Sequence, residues 1–162
     1  MWTVVESPVG DLRVVARDGA GGGVVTSIEF APWQSDGRPL GDRDDDHPVL
    51  VAVRVQLREY FARERRVFDL PLRPEGSEFQ RRVWHQLELI PWGETASYGE
   101  VARRMGMTNA ASRAVGLANG RNPIPIVIPC HRVIGANGTL TGYAGGIERK
   151  QLLLELEQDA LF

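Results

Sequence analysis

The chain's one cysteine, Cys130, stands directly before a histidine in Pro129-Cys130-His131-Arg132-Val133. A thiol attacks as its thiolate, so a neighbouring base or positive charge is what turns a cysteine into a nucleophile. His131 is able to take the proton, and a carboxylate elsewhere in the chain could hold its imidazole in one tautomer. Consecutive residues of an extended segment point to opposite faces, so Cys130 and His131 need a turn or a bridging water to act together. The adjacency also has an ordinary structural reading, because free cysteine is among the most buried residue types. A lone cysteine closes no internal disulfide, and three widely spaced histidines show no zinc-ligand spacing, so neither a metal nor a cofactor is expected.

A second concentration of chemistry is positive charge. Between Ser97 and Arg132, Arg103, Arg104, Arg113, Arg121 and Arg132 are opposed only by Glu100. That stretch is the candidate anion-facing surface, although an ordinary solvated face has the same composition. The formal net charge of −2 hides the asymmetry: residues 1–76 carry 10 arginines against 13 acids, and residues 77–162 carry 9 basic against 8 acidic residues.

The elements that must position these residues are readable in outline. Trp2–Glu6, Leu12–Ala16 and Val24–Phe30 are short β-rich runs separated by Ser7-Pro8-Val9-Gly10 and the Gly19–Gly23 break, which predicts a small antiparallel sheet. The acidic run Asp42–Asp46 is a loop, with Asp46 a plausible helix start. Leu50, Val53, Leu57, Tyr60 and Phe61 then keep helical spacing while the valines alternate like a strand; the pattern runs through Arg63, which favours a helix. Phe68–Pro74, with Pro71 and Pro74, reads as a linker into a more helical half.

In that half, Ser77 with Gln80 is a capping-box signal, and Phe79, Val83, Leu87 and Ile90 form one apolar helix face that Pro91-Trp92-Gly93 stops. Ser97 with Glu100 repeats the signal ahead of Val101, Ala102 and Met105. A further short helix runs from about Ala110 to Ala118 and closes at Asn119-Gly120. Two short helices around a glycine-containing turn outline a helix-turn-helix. Pro123, Pro125 and Pro129 predict a rigid, extended approach to Cys130. Val133-Ile134, Asn137-Gly138 and Leu140 suggest a tight turn before the Gly142–Gly146 loop, and Ile147–Glu157 is a last helix burying Leu153, Leu154 and Leu156. The fold class is α+β: a small N-terminal antiparallel sheet with a helix over residues 1–75, then a mainly helical C-terminal domain with a helix-turn-helix over 76–162.

With 162 residues, 43% of them hydrophobic, the chain is long enough to bury a core as one domain or two small ones. The first ten residues include Glu6 and Pro8 rather than a basic start and an apolar run, and no window has the apolar length of a membrane span, so the expected location is cytoplasmic.

The Pro-Cys-His-Arg core does not stand alone. Arg113-Ala114-Val115-Gly116, Asn122-Pro123, Gly142-Tyr143-x-Gly145-Gly146, and Lys150 through Leu153-Leu154 to Glu157 accompany it in order and at nearly the spacing of one family. In these segments the chain resembles the O6-alkylguanine-DNA alkyltransferases, also called methylated-DNA–protein-cysteine methyltransferases. The resemblance is dense from Phe79 to Glu157 and loose over residues 1–75, where only sheet-then-helix order supports it. It implies that Cys130 is the alkyl acceptor, His131 the base acting through a water, Glu157 the group orienting that histidine, and Asn122 a support for the active-site turn. Tyr98 matches the tyrosine that contacts the flipped base and the DNA backbone, and Arg113 the arginine that enters the duplex in place of that base. Val133, Tyr143 and Ala144 match positions lining the base pocket, and Lys150 one near the active-site loop, its role left open. Ala114 and its small neighbours would allow close approach to a groove. Ser112 departs from the alanine common at its place and could add a phosphate or sugar hydrogen bond. The zinc-binding cysteines of some members are absent.

Taken singly, each position has a plainer reading: a surface carboxylate for Glu157, a core aromatic for Tyr98, a turn residue for Asn122, a phosphate contact for Arg113. Taken together, in family order, they imply single-turnover repair of O6-alkylguanine, and of O4-alkylthymine, in double-stranded DNA bound through its minor groove. The protein is expected to be a monomer, with cooperative assembly on DNA left open. The alternative is a non-enzymatic binder of alkylated DNA that recruits other repair factors; such proteins lack the acceptor cysteine that this chain retains.

Overall fold

A computed structural model describes residues 1–34 and 36–158. The chain divides into two compact units at Glu75/Gly76. The last four residues of the expected second domain, 159–162, lie outside the described residues.

In the first unit, β1 (Trp2–Val5), β2 (Leu12–Arg17) and β3 (Val24–Phe30) form an antiparallel sheet in the order β1-β2-β3. Alternation puts Val5, Leu12, Val14, Val25 and Ile28 inside, and a register shift between Val15 and Ala16 lets the neighbouring positions Val14, Val15 and Ala16 all be buried. Helix α1 (Pro48–Phe61) packs against the sheet through Val49, Leu50, Val53, Leu57 and Tyr60, so helical spacing prevails over the valine alternation. Its cap is His47 rather than Asp46: the His47 ring nitrogen accepts from the Val49 N–H at 3.2 Å, and Pro48 occupies the first helical position. The stretch expected as a linker is partly tied down, because the Val25 N–H donates to Pro71 O and the Arg73 N–H to Val25 O, each at 2.8 Å, setting Leu72 beside β3.

The second unit opens with α2 (Glu78–Glu88) behind a complete capping box, the Gln80 N–H donating to Ser77 Oγ at 3.1 Å and the Ser77 N–H to Gln80 Oε1 at 2.9 Å. Val83, Trp84, Leu87 and Ile90 are buried. Trp84 Nε1 donates to Ala118 O at 2.8 Å, which ties α2 to a later helix. Gly76 is required there: a Cβ on it would come within 2.4 Å of the Trp84 ring. Helix α3 (Tyr98–Arg104) is capped by Ser97 alone, since Glu100 takes its side-chain bond from Ser97 Oγ instead of from the Ser97 backbone. A 3₁₀ turn over Asn109–Ala111 leads into α4 (Ser112–Gly120), two residues later than the sequence suggests. Helix α4 packs on both α2 and α3. Two-residue strands β4 (Ala96–Ser97) and β5 (Val133–Ile134) pair in parallel, joining the start of α3 to the segment after Cys130. In the last helix, α5 (Ile147–Leu156), Leu153 is buried but Leu154 and Leu156 are only half-buried.

The approach to Cys130 is not extended. Residues 124–128 fold into turns, with the Ile128 N–H donating to Ile124 O at 2.9 Å and Ile126 in the left-handed region at φ 74°. For a β-branched residue that is an uncommon and strained conformation. Prolines on either side restrict the chain without forcing it straight; buried Ile124, Ile126 and Ile128 anchor the loop in the core.

Candidate active site

Cys130, His131 and Arg132 form one 3₁₀ turn, which removes the opposed directions of an extended dipeptide. Two asparagines hold that turn. Asn122 Nδ2 donates to Ile128 O at 2.7 Å while its Oδ1 accepts from the Ile124 N–H at 3.0 Å, clamping the strained loop at both ends. Asn119 Nδ2 donates to Cys130 O at 3.3 Å. The sequence motifs single out Asn122 but give Asn119 only as a helix stop; its near-complete burial inside α4 is the property that marks it.

The carboxylate is Glu157, just past the end of α5. His131 Nε2 lies 2.7 Å from Glu157 Oε2, and both side chains are buried. With Nε2 donating to the carboxylate, Nδ1 keeps its lone pair, and among the described residues no protein group pairs with it. Arg132 completes the cluster. Its Nε donates to Glu157 Oε1 at 2.8 Å, Nη2 to Oε2 at 2.9 Å, and Nη1 to Ile90 O at 2.6 Å. The expectation that Arg132 shares an anion-facing surface is therefore corrected: only 6% of it is exposed, and its charge is spent on Glu157. A bidentate fork suits guanidinium and carboxylate, and an unpaired guanidinium could not be buried.

Electrostatics follow from burial and pairing. Burial pushes the Cys130 thiol up to about 11, while a side-chain hydrogen bond with Asn122 and the Lys150 charge favour its thiolate. Burial likewise holds His131 below its ordinary value, opposed by the Glu157 hydrogen bond and charge and assisted by the charges of Arg132 and Lys150. For Glu157, burial works upward, but the hydrogen bonds and charges of His131 and Arg132 hold it at about 2. The resting state is thus a thiol, a neutral imidazole and an ionised carboxylate.

Lys150 is fully buried on α5 and donates to Val133 O at 2.6 Å and to Thr141 O at 2.9 Å. It fastens both sides of the Gly135–Leu140 turn, and burial lowers its proton affinity, against the pull of Cys130. Tyr98, half-buried at the start of α3, places its hydroxyl 3.1 Å from Thr141 Oγ1. Val133 and Tyr143 are buried and Ala144 is exposed. The structure therefore gathers Cys130, His131, Glu157, Asn122, Val133 and Lys150 around one turn and links Tyr98 to it through Thr141. Arg113 and Ala114 are exposed on α4 and Ser112 is half-buried there, on the helix that carries Asn119. Among the described residues no group of three or more His, Cys, Asp or Glu is placed to hold a metal ion.

Two family models together match nearly the whole chain: the DNA-binding domain of 6-O-methylguanine DNA methyltransferase over residues 78–159 and its ribonuclease-like domain over residues 1–74. The chain belongs to this family. A methylated-DNA–protein-cysteine methyltransferase of Methanosarcina acetivorans is 62% identical over 159 residues, covering 96% of this chain and 97% of the relative. One of Mycolicibacterium paratuberculosis is 50% identical over 157 residues, covering 97% and 92%. Among solved structures, O6-methylguanine methyltransferase of Mycobacterium tuberculosis superposes with a TM-score of 0.86 at 46% identity, covering 97% of this chain and 92% of that one. The M. tuberculosis protein OGT in complex with DNA gives 0.83 at 47% identity, with the same coverage. No helix of this methyltransferase family member is long and apolar enough to cross a membrane among the described residues.

Proposed function

We propose that this protein repairs DNA by transferring the alkyl group of O6-alkylguanine, and of O4-alkylthymine, irreversibly to Cys130. The observation that carries the reading is the buried Cys130–His131 turn with Glu157 2.7 Å from the imidazole. His131 Nδ1 accepts the thiol proton through a water, Glu157 stabilises the resulting imidazolium, and Sγ attacks the alkyl carbon. The C–O6 bond breaks, its electron pair leaves on O6, and the restored guanine, still in the DNA, takes up one proton, so that His131 returns to its neutral form. The product is a thioether with no easy leaving chemistry, so each molecule acts once.

An alkyl group on O6 points into the stacked duplex, so the nucleotide must first be extruded at a cost of a few kcal/mol. Helices α3 and α4 serve as a helix-turn-helix laid in the minor groove, where sequence readout is poor and a lesion in any context is accessible. Arg113 fills the vacated stack, Ser112 and Ala114 approach the backbone, and Tyr98 contacts the flipped base. Val133, Tyr143 and Ala144 line its pocket. Lys150 holds the loop that shapes the pocket, and Asn122 holds the turn that presents Cys130. In this reading residues 76–162 are the DNA-binding and alkyl-acceptor domain, residues 1–75 are a separate α/β domain, and the protein is a cytoplasmic monomer that needs no cofactor. The structure of a 47% identical relative in complex with DNA supports DNA as the partner.

Intact-protein mass after incubation with duplex DNA containing O6-methylguanine tests this directly. One added methyl mapped to the Cys130 peptide is expected. A methyl placed elsewhere refutes the assignment, and binding without any mass change would favour a non-enzymatic lesion binder.

A further inference from the structure

The cluster contains a charge that a Cys-His-Glu relay does not need. Glu157 Oε2 is shared: it lies 2.7 Å from His131 Nε2 and accepts from Arg132 Nη2 at 2.9 Å, while Oε1 accepts from Arg132 Nε at 2.8 Å. Arg132 is fixed in that position by Ile90 O as well. We propose that Arg132 is a positioning residue which, by neutralising the carboxylate that His131 leans on, keeps the imidazole unprotonated and so free to accept the Cys130 proton across the neutral pH range. The inference rests on the alkyl-transfer reading for its consequence, but its premise is a property of the buried cluster alone.

Glu157⁻ and Arg132⁺ cancel, so a proton arriving on His131 from solvent leaves an uncompensated positive charge in a buried site, whereas one taken from Cys130 leaves a thiolate to balance it. Without Arg132, His131 and Glu157⁻ carry one net negative charge, and the same proton would neutralise it. Opposite charge at hydrogen-bond distance moves a proton affinity by about ten- to a thousandfold. Among the described residues, the other charged or titratable groups facing the pair do not alter the sign. Lys150 on α5 adds positive charge and opposes protonation, as Arg132 does. Cys130 is a neutral thiol at rest. Glu94 lies across a cavity of about 190 Å³ that Glu157 also lines, together with Thr95, Leu140 and Leu154, and it is exposed. A relay with a free carboxylate would store a proton on histidine before the substrate arrives; this one meets the substrate with its base empty.

Two measurements test the proposal. The first follows the His131 imidazole by NMR against pH in a Cys130→Ser background, which needs no reaction. The second records the single-turnover rate with O6-benzylguanine, a free base that requires no DNA, against pH. In the otherwise unchanged protein His131 should stay neutral well below the ordinary histidine value. In Arg132→Gln the midpoint of proton uptake by the His131–Glu157 pair, and the acid limb of the rate, should both move to higher pH, by about tenfold or more in proton affinity. Arg132→Lys, which keeps the charge but loses the fork, should return both toward their original positions. Unmoved midpoints accompanied by a uniform loss of rate would reduce Arg132 to a structural prop and overturn the proposal. So would an imidazole already protonated at neutral pH with Arg132 in place, a result independent of how well any Arg132 variant folds. Failure of the unsubstituted protein to react with O6-benzylguanine would instead count against the alkyl-transfer reading, with the NMR titration still deciding the role of Arg132.

Discussion

Arg104 and Arg132 both face a glutamate in the second unit, one at the surface and the other in the interior. Arg104 approaches Glu100 at 3.7 Å, with about half of each side chain exposed to water. Arg103 on α3, Arg113 on α4 and Arg121 just past α4 are exposed as well. Arg132 meets Glu157 in a two-point fork with nearly all water removed. A solvated pair contributes about 0–1 kcal/mol and is screened by salt, so the surface arginines remain available to a polyanion. A buried fork is committed, and removing one partner strands the other at a cost of about 3–5 kcal/mol. The same residue type is therefore free to attract a polyanion in one place and is committed to a buried carboxylate in the other, and burial decides which.

The largest expected effect isolates the acceptor from both. Cys130→Ala should abolish alkyl transfer outright while duplex affinity, which the proposed reading gives to α3 and α4, stays near that of the unsubstituted protein. Parallel loss of binding and transfer would mean that the two regions are not separable. Glu157→Gln comes next, since it leaves Arg132 buried without a full countercharge and His131 without its acceptor. Transfer should slow severely, and stability should fall by about 3–5 kcal/mol in a denaturant titration.

The pH dependence of that stability has a definite sign. Glu157 is held at about 2 in the fold, whereas an unfolded glutamate protonates near about 4.3, so its contribution is complete above the higher value and is lost as pH falls toward the lower. His131 is neutral in the fold and would bind a proton below about 6.5 when unfolded, so stability already begins to decline there. Melting temperature against pH should therefore slope upward from acid toward neutrality, and Glu157→Gln should flatten the most acid part of the curve. An unchanged acid slope in the variant would mean that Glu157 is not held ionised by its partners.

How far the sequence anticipates this contrast depends on what holds each element. Strands β1 to β3 and helices α1 and α2 are written in local periods and caps, such as Ser77 with Gln80, and they lie within a residue or two of where those signals place them. The loop into the Cys130 turn is different. Its conformation at Ile126 is imposed by the buried isoleucines and the Asn122 clamp, which no local period records. The fate of Arg132 depends on a carboxylate 25 residues away and on the Ile90 carbonyl 42 residues back, so composition alone placed it with its exposed neighbours. Cys130, His131 and Glu157 were recognisable together only because their family order was, and Asn119 shows what order without burial misses.

A smaller effect, confined to duplex substrates, separates positioning from base displacement on the exposed side. If Arg113 fills the vacated stack, Arg113→Ala loses a contribution of at most a few kcal/mol to extrusion. Repair of O6-methylguanine in duplex should then suffer far more than reaction with O6-benzylguanine, which is never stacked. Equal losses on the two substrates would show that Arg113 does not act through displacement.

The smallest effect bears most directly on the two arginine populations. A cation that neutralises a phosphate releases counterions, and each such contact contributes about 0.9 to the slope of log affinity against log salt on duplex DNA. Arg121, exposed just past α4, should make such a contact, whereas the charge of Arg132 is already consumed by Glu157. Arg121→Gln should therefore weaken binding to unmodified duplex modestly and lower the slope by about one unit. Arg132→Gln, measured where it remains folded, should leave the slope unchanged whatever it does to transfer, because no phosphate was neutralised by the residue removed. A slope that falls by one unit in Arg132→Gln would mean that the buried fork opens on DNA and that the guanidinium moves to the backbone. A slope indifferent to Arg121 would confine the anion-facing surface to the remaining arginines of α3 and α4.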